Sequence, residues 1–194
     1  MSRTRLALWS KNLLDADKTL EWILRACAEA GPEKCALHEP TADKIHARIL
    51  RLFAKLKESP VPVFLPEHTW ATRSALIDYK IAKGALFLAM YGPYGRDILG
   101  ARWIATALRD LENDNGETLW RLFGMLAERF QCECPIPGQP LPPDVTTPDA
   151  QNAIICGDGD EVRDTVEDLK KHLEMLAETS EFADMIAPLR GSCV

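Results

Sequence analysis

The chain has 194 residues, 46% apolar and 27% charged, so it can bury a packed core and is not a disordered tail. Lysine and arginine number 23 against 29 aspartate and glutamate, and the resulting net charge of −6 argues against a nucleic-acid or anionic-membrane surface. No apolar run approaches the roughly 18 residues a membrane span needs. The opening Met1–Asn12 is too short in apolar residues, and lacks the small-residue cleavage site, for a signal peptide.

Helical periodicity runs through most of the chain. Leu20, Ile23, Leu24 and Cys27 recur at i, i+3, i+4, i+7 and stop at Gly31-Pro32. A second helix opens near Thr41 to Asp43, carries Ile45, Ile49, Leu52, Phe53 and Leu56, and breaks at Ser59-Pro60. Residues 61–66 read as extended, with prolines that confine them to an edge or a loop. A third helix is expected from about Thr72 to Met90, interrupted by Tyr91-Gly92-Pro93-Tyr94-Gly95. A fourth carries Ile98 to Leu111, and a fifth Leu119 to Phe130. Proline fills six of the fourteen positions from Pro135 to Pro148, which marks 131–149 as an extended arm. Ala153–Cys156 is the best strand candidate. Beyond it Val162, Val166, Leu169, Leu173 and Leu176 define a helix over 161–179, and a shorter one around Phe182 to Leu189 finishes the chain. The expected fold is therefore mainly α: a helical bundle over 1–130, the arm over 131–149, and a strand-helix-helix return over 150–194.

The chemistry of hydrolysis is not written here. A serine hydrolase needs a nucleophile on a sharp turn, a base and an orienting carboxylate. The six serines lie in no G-x-S-x-G context, and His38, His46, His68 and His172 form no H-E-x-x-H. No phosphate loop or dinucleotide fingerprint calls for a cofactor. Cys132-x-Cys134 lacks the further ligands of a zinc site, and Asp158-x-Asp160 lacks the third ligand and the glycine of a calcium loop, so no metal is expected.

Six cysteines fall at Cys27, Cys35, Cys132, Cys134, Cys156 and Cys193. Their spacing leaves two states open. Bonds from Cys27 to Cys35 and from Cys156 to Cys193 would stabilise by about 2.5 and about 4 kcal/mol in the chain-entropy model. Reduced, buried thiols packed as small hydrophobes are the other state.

Trp9-Ser10, Leu14-Asp15-x-Asp17-Lys18 and Cys27-x-x-Ala30-Gly31-Pro32-Glu33-x-Cys35-Ala36-Leu37 resemble the opening of the lid in tripeptidyl-aminopeptidase-like α/β-hydrolases. Ala153-Ile154-x-Cys156-x-Asp158 resembles the segment by which that lid rejoins the core, and Arg190-x-Ser192-Cys193 the stretch before the family's C-terminal domain. The resemblance covers nearly the whole chain in the family's order. It implies a serine upstream of this sequence and the triad Asp and His downstream, so no catalytic residue is carried onto it. It also implies the pairs Cys27–Cys35 and Cys156–Cys193 and a secreted parent, against which the missing signal peptide counts for the cytoplasm. Cys132-x-Cys134 and the dense proline arm depart from the pattern.

The expected role is thus a substrate-gating lid, with Tyr91, Tyr94 and Trp103 as candidates for pocket wall and Asp158 as an amine-binding carboxylate. Plainer roles stand beside these: ordinary packing for the aromatics, and an N-cap on the 161–179 helix for Asp158. The alternative is a free-standing, lid-derived small protein that binds an apolar small molecule or catalyses a non-hydrolytic step. The wide apolar arc of the fourth helix predicts a partner, either the hydrolase core or a second copy of the chain.

Overall fold

In the computed structural model, the apolar stripe beginning at Leu20 becomes the buried face of helix α1 (Ala16–Ala30), with Leu20, Ile23 and Leu24 all at most 6% exposed. The structure describes residues 11, 13–67, 73–94, 100–127, 153–154, 156–157, 163–191 and 193. The chain is mainly helical and divides into two units, Leu20–Cys134 and a second formed by Met1–Thr19 with Pro135–Val194.

In the first unit α1 ends where the sequence says it should. Gly31 takes φ +79°, a left-handed conformation that glycine adopts without the Cβ penalty, and its carbonyl accepts from the amides of Lys34 and Cys35. Helix α2 (Ala42–Glu58) starts at Thr41, whose hydroxyl accepts from the Lys44 amide, and places Lys55 and Lys57 in its last turn, where the helix dipole favours them. Ile45, Ile49, Leu52, Phe53 and Leu56 are its buried face, the same stripe read from the sequence.

Strand β1 (Val61–Phe64) follows, with Val61 and Val63 buried and Pro62 and Phe64 exposed. It pairs antiparallel with β2 (Ser74–Ile77) in the register Val61↔Ile77 and Val63↔Ala75. This corrects the third helix, expected from Thr72: it begins only at Tyr79, as α3 (Tyr79–Ala89), after Asp78 caps the Ile81 amide at 2.9 Å. Backbone hydrogen bonding explains the difference. An extended β1 leaves its amides and carbonyls unpaired, and Ser74–Ile77 supplies the neighbour they need.

Helices α4 (Ala101–Glu112) and α5 (Glu117–Ala127) complete the unit, α4 packing on α2, α3 and α5. Arg48 on α2 grips Glu112 on α4 with two parallel hydrogen bonds, Nε to Oε1 at 2.7 Å and Nη2 to Oε2 at 2.6 Å. Both side chains are about three-quarters buried, and the carboxylate holds the guanidinium above its ordinary pKa. Between α4 and α5 the chain turns through Asp114, at φ +58°, whose carboxylate meets Lys55 Nζ at 2.7 Å. Gly116 then lies flat against the hairpin: a Cβ there would stand 3.0 Å from Ile77 Cγ1 and closer still to Val63 Cγ2. Gly116→Ala is therefore expected to cost about 1–3 kcal/mol through overpacking, read as a lowered urea midpoint with an unchanged slope.

In the second unit Leu13 and Ala16 are buried, and α6 (Val166–Ala177) packs on α7 (Ala183–Gly191). Asp17 clasps the start of α7: its carboxylate accepts from Ser180 Oγ at 2.6 Å and from the Glu181 amide at 3.2 Å. Arg190 pairs with Asp164, Nη2 to Oδ1 at 2.9 Å. Two expectations are corrected here. Ala153, Ile154, Cys156 and Gly157 are helical where a strand is expected, since helix satisfies the backbone locally and a strand needs a neighbour. The next helix opens at Val166 behind a capping box, Thr165 with Asp168, rather than at 161. Asp158 itself, with Cys132, Cys134 and the proline arm, lies outside the described residues. Of the α6 stripe only Leu176 is buried, while Val166 and Leu173 stay exposed.

Acid should loosen this unit in two stages. Burial first, then the nearby Arg190 charge, lowers the His172 pKa below its ordinary value of 6.5, so the unfolded chain takes up that proton more readily than the folded one. Stability should fall as pH drops below about 6.5, then fall again through the carboxylate range, because the Arg190 hydrogen bond holds Asp164 below its ordinary value. His172→Gln is expected to remove the first stage and leave the second, measured by thermal unfolding across a pH series.

Candidate ligand cavity

The first unit holds an open-mouthed cavity of about 150 Å³. Its floor is aliphatic: Ile23 and Leu24 from α1, Ile45 and Ile49 from α2, and Ile104 and Leu108 from α4. Two alanine pairs at i, i+4 create the space, Ala26 with Ala30 on α1 and Ala101 with Ala105 on α4. Side chains four apart share a helix face, and a methyl group at each position leaves the volume that a larger residue would fill. The Cys27–Cys35 disulfide, with Cα atoms 5.3 Å apart, forms part of the wall and fastens the α1 end to the chain that turns back from it. The exposed lining residues, Ala26, Ala30, Lys34 and Arg102, mark the mouth.

Such a lining can hold an apolar group. Among the described residues it supplies two cationic side chains and no carboxylate, hydroxyl or imidazole, a lining suited to holding an apolar group beside a positive charge. The residues expected at a pocket wall lie elsewhere. Tyr91 is 70% exposed and stacks edge-on against Phe87 at 5.6 Å. Tyr94, 79% exposed, meets Trp22 edge-on at 5.3 Å. Trp103 is half-buried on α4, and none of the three belongs to the cavity lining. Lys34 and Arg102 were not singled out by sequence reasoning; the i, i+4 alanine pairs are the signal that could have pointed to this face.

A second polar arrangement surrounds Tyr79. Its hydroxyl accepts from the buried Lys83 ammonium at 2.8 Å, Lys57 Nζ sits 4.3 Å above its ring, and Phe53 packs against it edge-on at 5.5 Å. It ties α3 to α2. Among the described residues no group of three or more His, Cys, Asp or Glu is placed to hold a metal ion. No described helix is long and apolar enough to cross a membrane.

Cys156 and Cys193 are also joined, with Cα atoms 5.2 Å apart. No family model matches the chain, and neither a curated protein nor a solved structure is found similar to it.

If the Cys27–Cys35 bond sets the cavity wall, the double variant Cys27→Ala/Cys35→Ala should lose about 2.5 kcal/mol of stability. The Ile23 and Ile45 methyl resonances should broaden beside the loss, an effect that a purely unfolded-state account of the disulfide does not require.

Proposed function

We propose that this chain is the substrate-gating lid of an α/β-hydrolase of the tripeptidyl-aminopeptidase-like kind, with the catalytic serine, aspartate and histidine carried outside this sequence. The observation that carries the reading is the cysteine pairing: Cys27 with Cys35 and Cys156 with Cys193 are the two bonds that the lid resemblance implies. Six cysteines allow fifteen full pairings, so agreement at both bonds is informative. Disulfides also suit a parent that works in an oxidising compartment. The exposed stripe of α6 and the exposed Trp22 and Tyr94 supply apolar surface of the kind a lid lays against its core. A lid of this type excludes water from the reacting centre and selects substrates by the wall it presents.

The reading has two tests. A fluorophosphonate probe should leave the purified chain unlabelled; stoichiometric labelling of any serine would overturn the absence of a triad. The flanking reading frame should encode G-x-S-x-G upstream and a catalytic histidine downstream, and stop codons close on both sides would sink the lid reading.

One observation favours a second reading, a lid-derived small protein that binds an apolar small molecule. Every described residue of the cavity lining belongs to the Leu20–Cys134 unit.

A further inference from the structure

We infer that the cavity of the Leu20–Cys134 unit is a binding site for a small carboxylic acid, its apolar group held inside and its carboxylate met at the mouth by Lys34 and Arg102. The inference rests on the small-molecule reading above and names the ligand class. Volume sets the apolar part: a space of about 150 Å³ with an aliphatic lining admits a group the size of benzene, which is about six carbons.

Charge sets the head. Among the described residues of the lining, Lys34 and Arg102 are the ionisable side chains apart from the bonded cysteines, and both are basic. Several cations of this unit have carboxylate partners: Arg25 pairs with Glu21, Arg48 with Glu112, Lys55 with Asp114, Arg109 with Asp110 and Arg121 with Glu67. Neither Lys34 nor Arg102 has an ion pair or a side-chain hydrogen bond among the described residues. A third positive element lies at the same place. Ala101 and Arg102, which open the twelve-residue helix α4, both line the cavity; the Pro93 carbonyl accepts from the Ala101 amide at 3.3 Å, and the helix dipole makes this end positive. In a chain with net charge −6, the described residues at the opening of the apolar cavity thus include two cations and no acid. The planar guanidinium of Arg102 suits a carboxylate, which it can meet with two parallel hydrogen bonds.

The test titrates the intact chain, with isoleucine δ1 methyls labelled, against hexanoate, 1-hexanol and hexylammonium at low ionic strength. Ile23, Ile45, Ile49 and Ile104 line the cavity, whereas Ile77 and Ile186 do not. Hexanoate should shift the first four, bind at least tenfold more tightly than hexanol, and leave hexylammonium the weakest. The double variant Lys34→Gln/Arg102→Gln should bring hexanoate down to the hexanol level while hexanol binding stays unchanged, which also shows that the variant is folded. Equal affinity for hexanoate and hexanol in the native chain would overturn the carboxylate inference and leave the apolar cavity reading standing. Failure of both to move the four lining methyls would overturn the cavity reading as well.

Discussion

Two sulfur atoms and one left-handed glycine constrain the Leu20–Cys134 unit more tightly than any other local feature. Gly31 lets the chain reverse at the end of α1, and the bond from Cys27 to Cys35 keeps it reversed. Leu37 and then α2 follow within a few residues, so the position of α2 against α1 is largely decided at that turn. The cavity is a by-product of the same geometry. Helices free to approach would close over Ala26, Ala30, Ala101 and Ala105, since an unfilled apolar volume of about 150 Å³ would cost at most about 3.5 kcal/mol were it fully enclosed. That is the order of the contribution of a short disulfide-closed loop. The cross-link and the void it borders are therefore comparable terms of opposite sign.

Polar contacts fix what apolar packing leaves loose. Arg48 and Glu112 join α2 to α4 across 64 positions of sequence, and their forked geometry specifies the rotation of one helix about its axis in a way that aliphatic contacts do not. Asp17 plays the corresponding part in the other unit, reaching 163 positions along the chain to satisfy Ser180 and the start of α7. Both arrangements hold a charged group by more than one hydrogen bond. A lid or a small-ligand binder needs that kind of rigidity, because the selectivity of an apolar wall depends on its shape holding still.

Much of the fold was legible because local signals agreed with one another. Thr41 before a stripe of Ile45, Ile49 and Leu52, with Ser59-Pro60 behind it, left α2 little choice, and its bounds fall where those residues put them. Ser74-Ala75-Leu76-Ile77 was misread as helix because four residues are too few for a period to show, and its conformation is decided by β1 across the hairpin. Ala153–Cys156 erred the other way: a β-branched run resembles a strand, but nothing local can provide the neighbour that a strand requires. The cavity was illegible for a different reason. It is an absence of atoms between α1, α2 and α4, and each alanine that makes it reads, by itself, as an ordinary helix former.

The bond between Cys156 and Cys193 spans 37 positions and closes them into a covalent ring that includes α6 and α7. A protease that cuts the backbone once anywhere inside that ring opens it without releasing a fragment. The nicked protein keeps its full mass under oxidising conditions, and its two pieces separate only when thiol reagent is added. Compared on reducing and non-reducing gels, a limited digest would thus sort cleavage sites inside this ring or the short Cys27–Cys35 loop from those outside both.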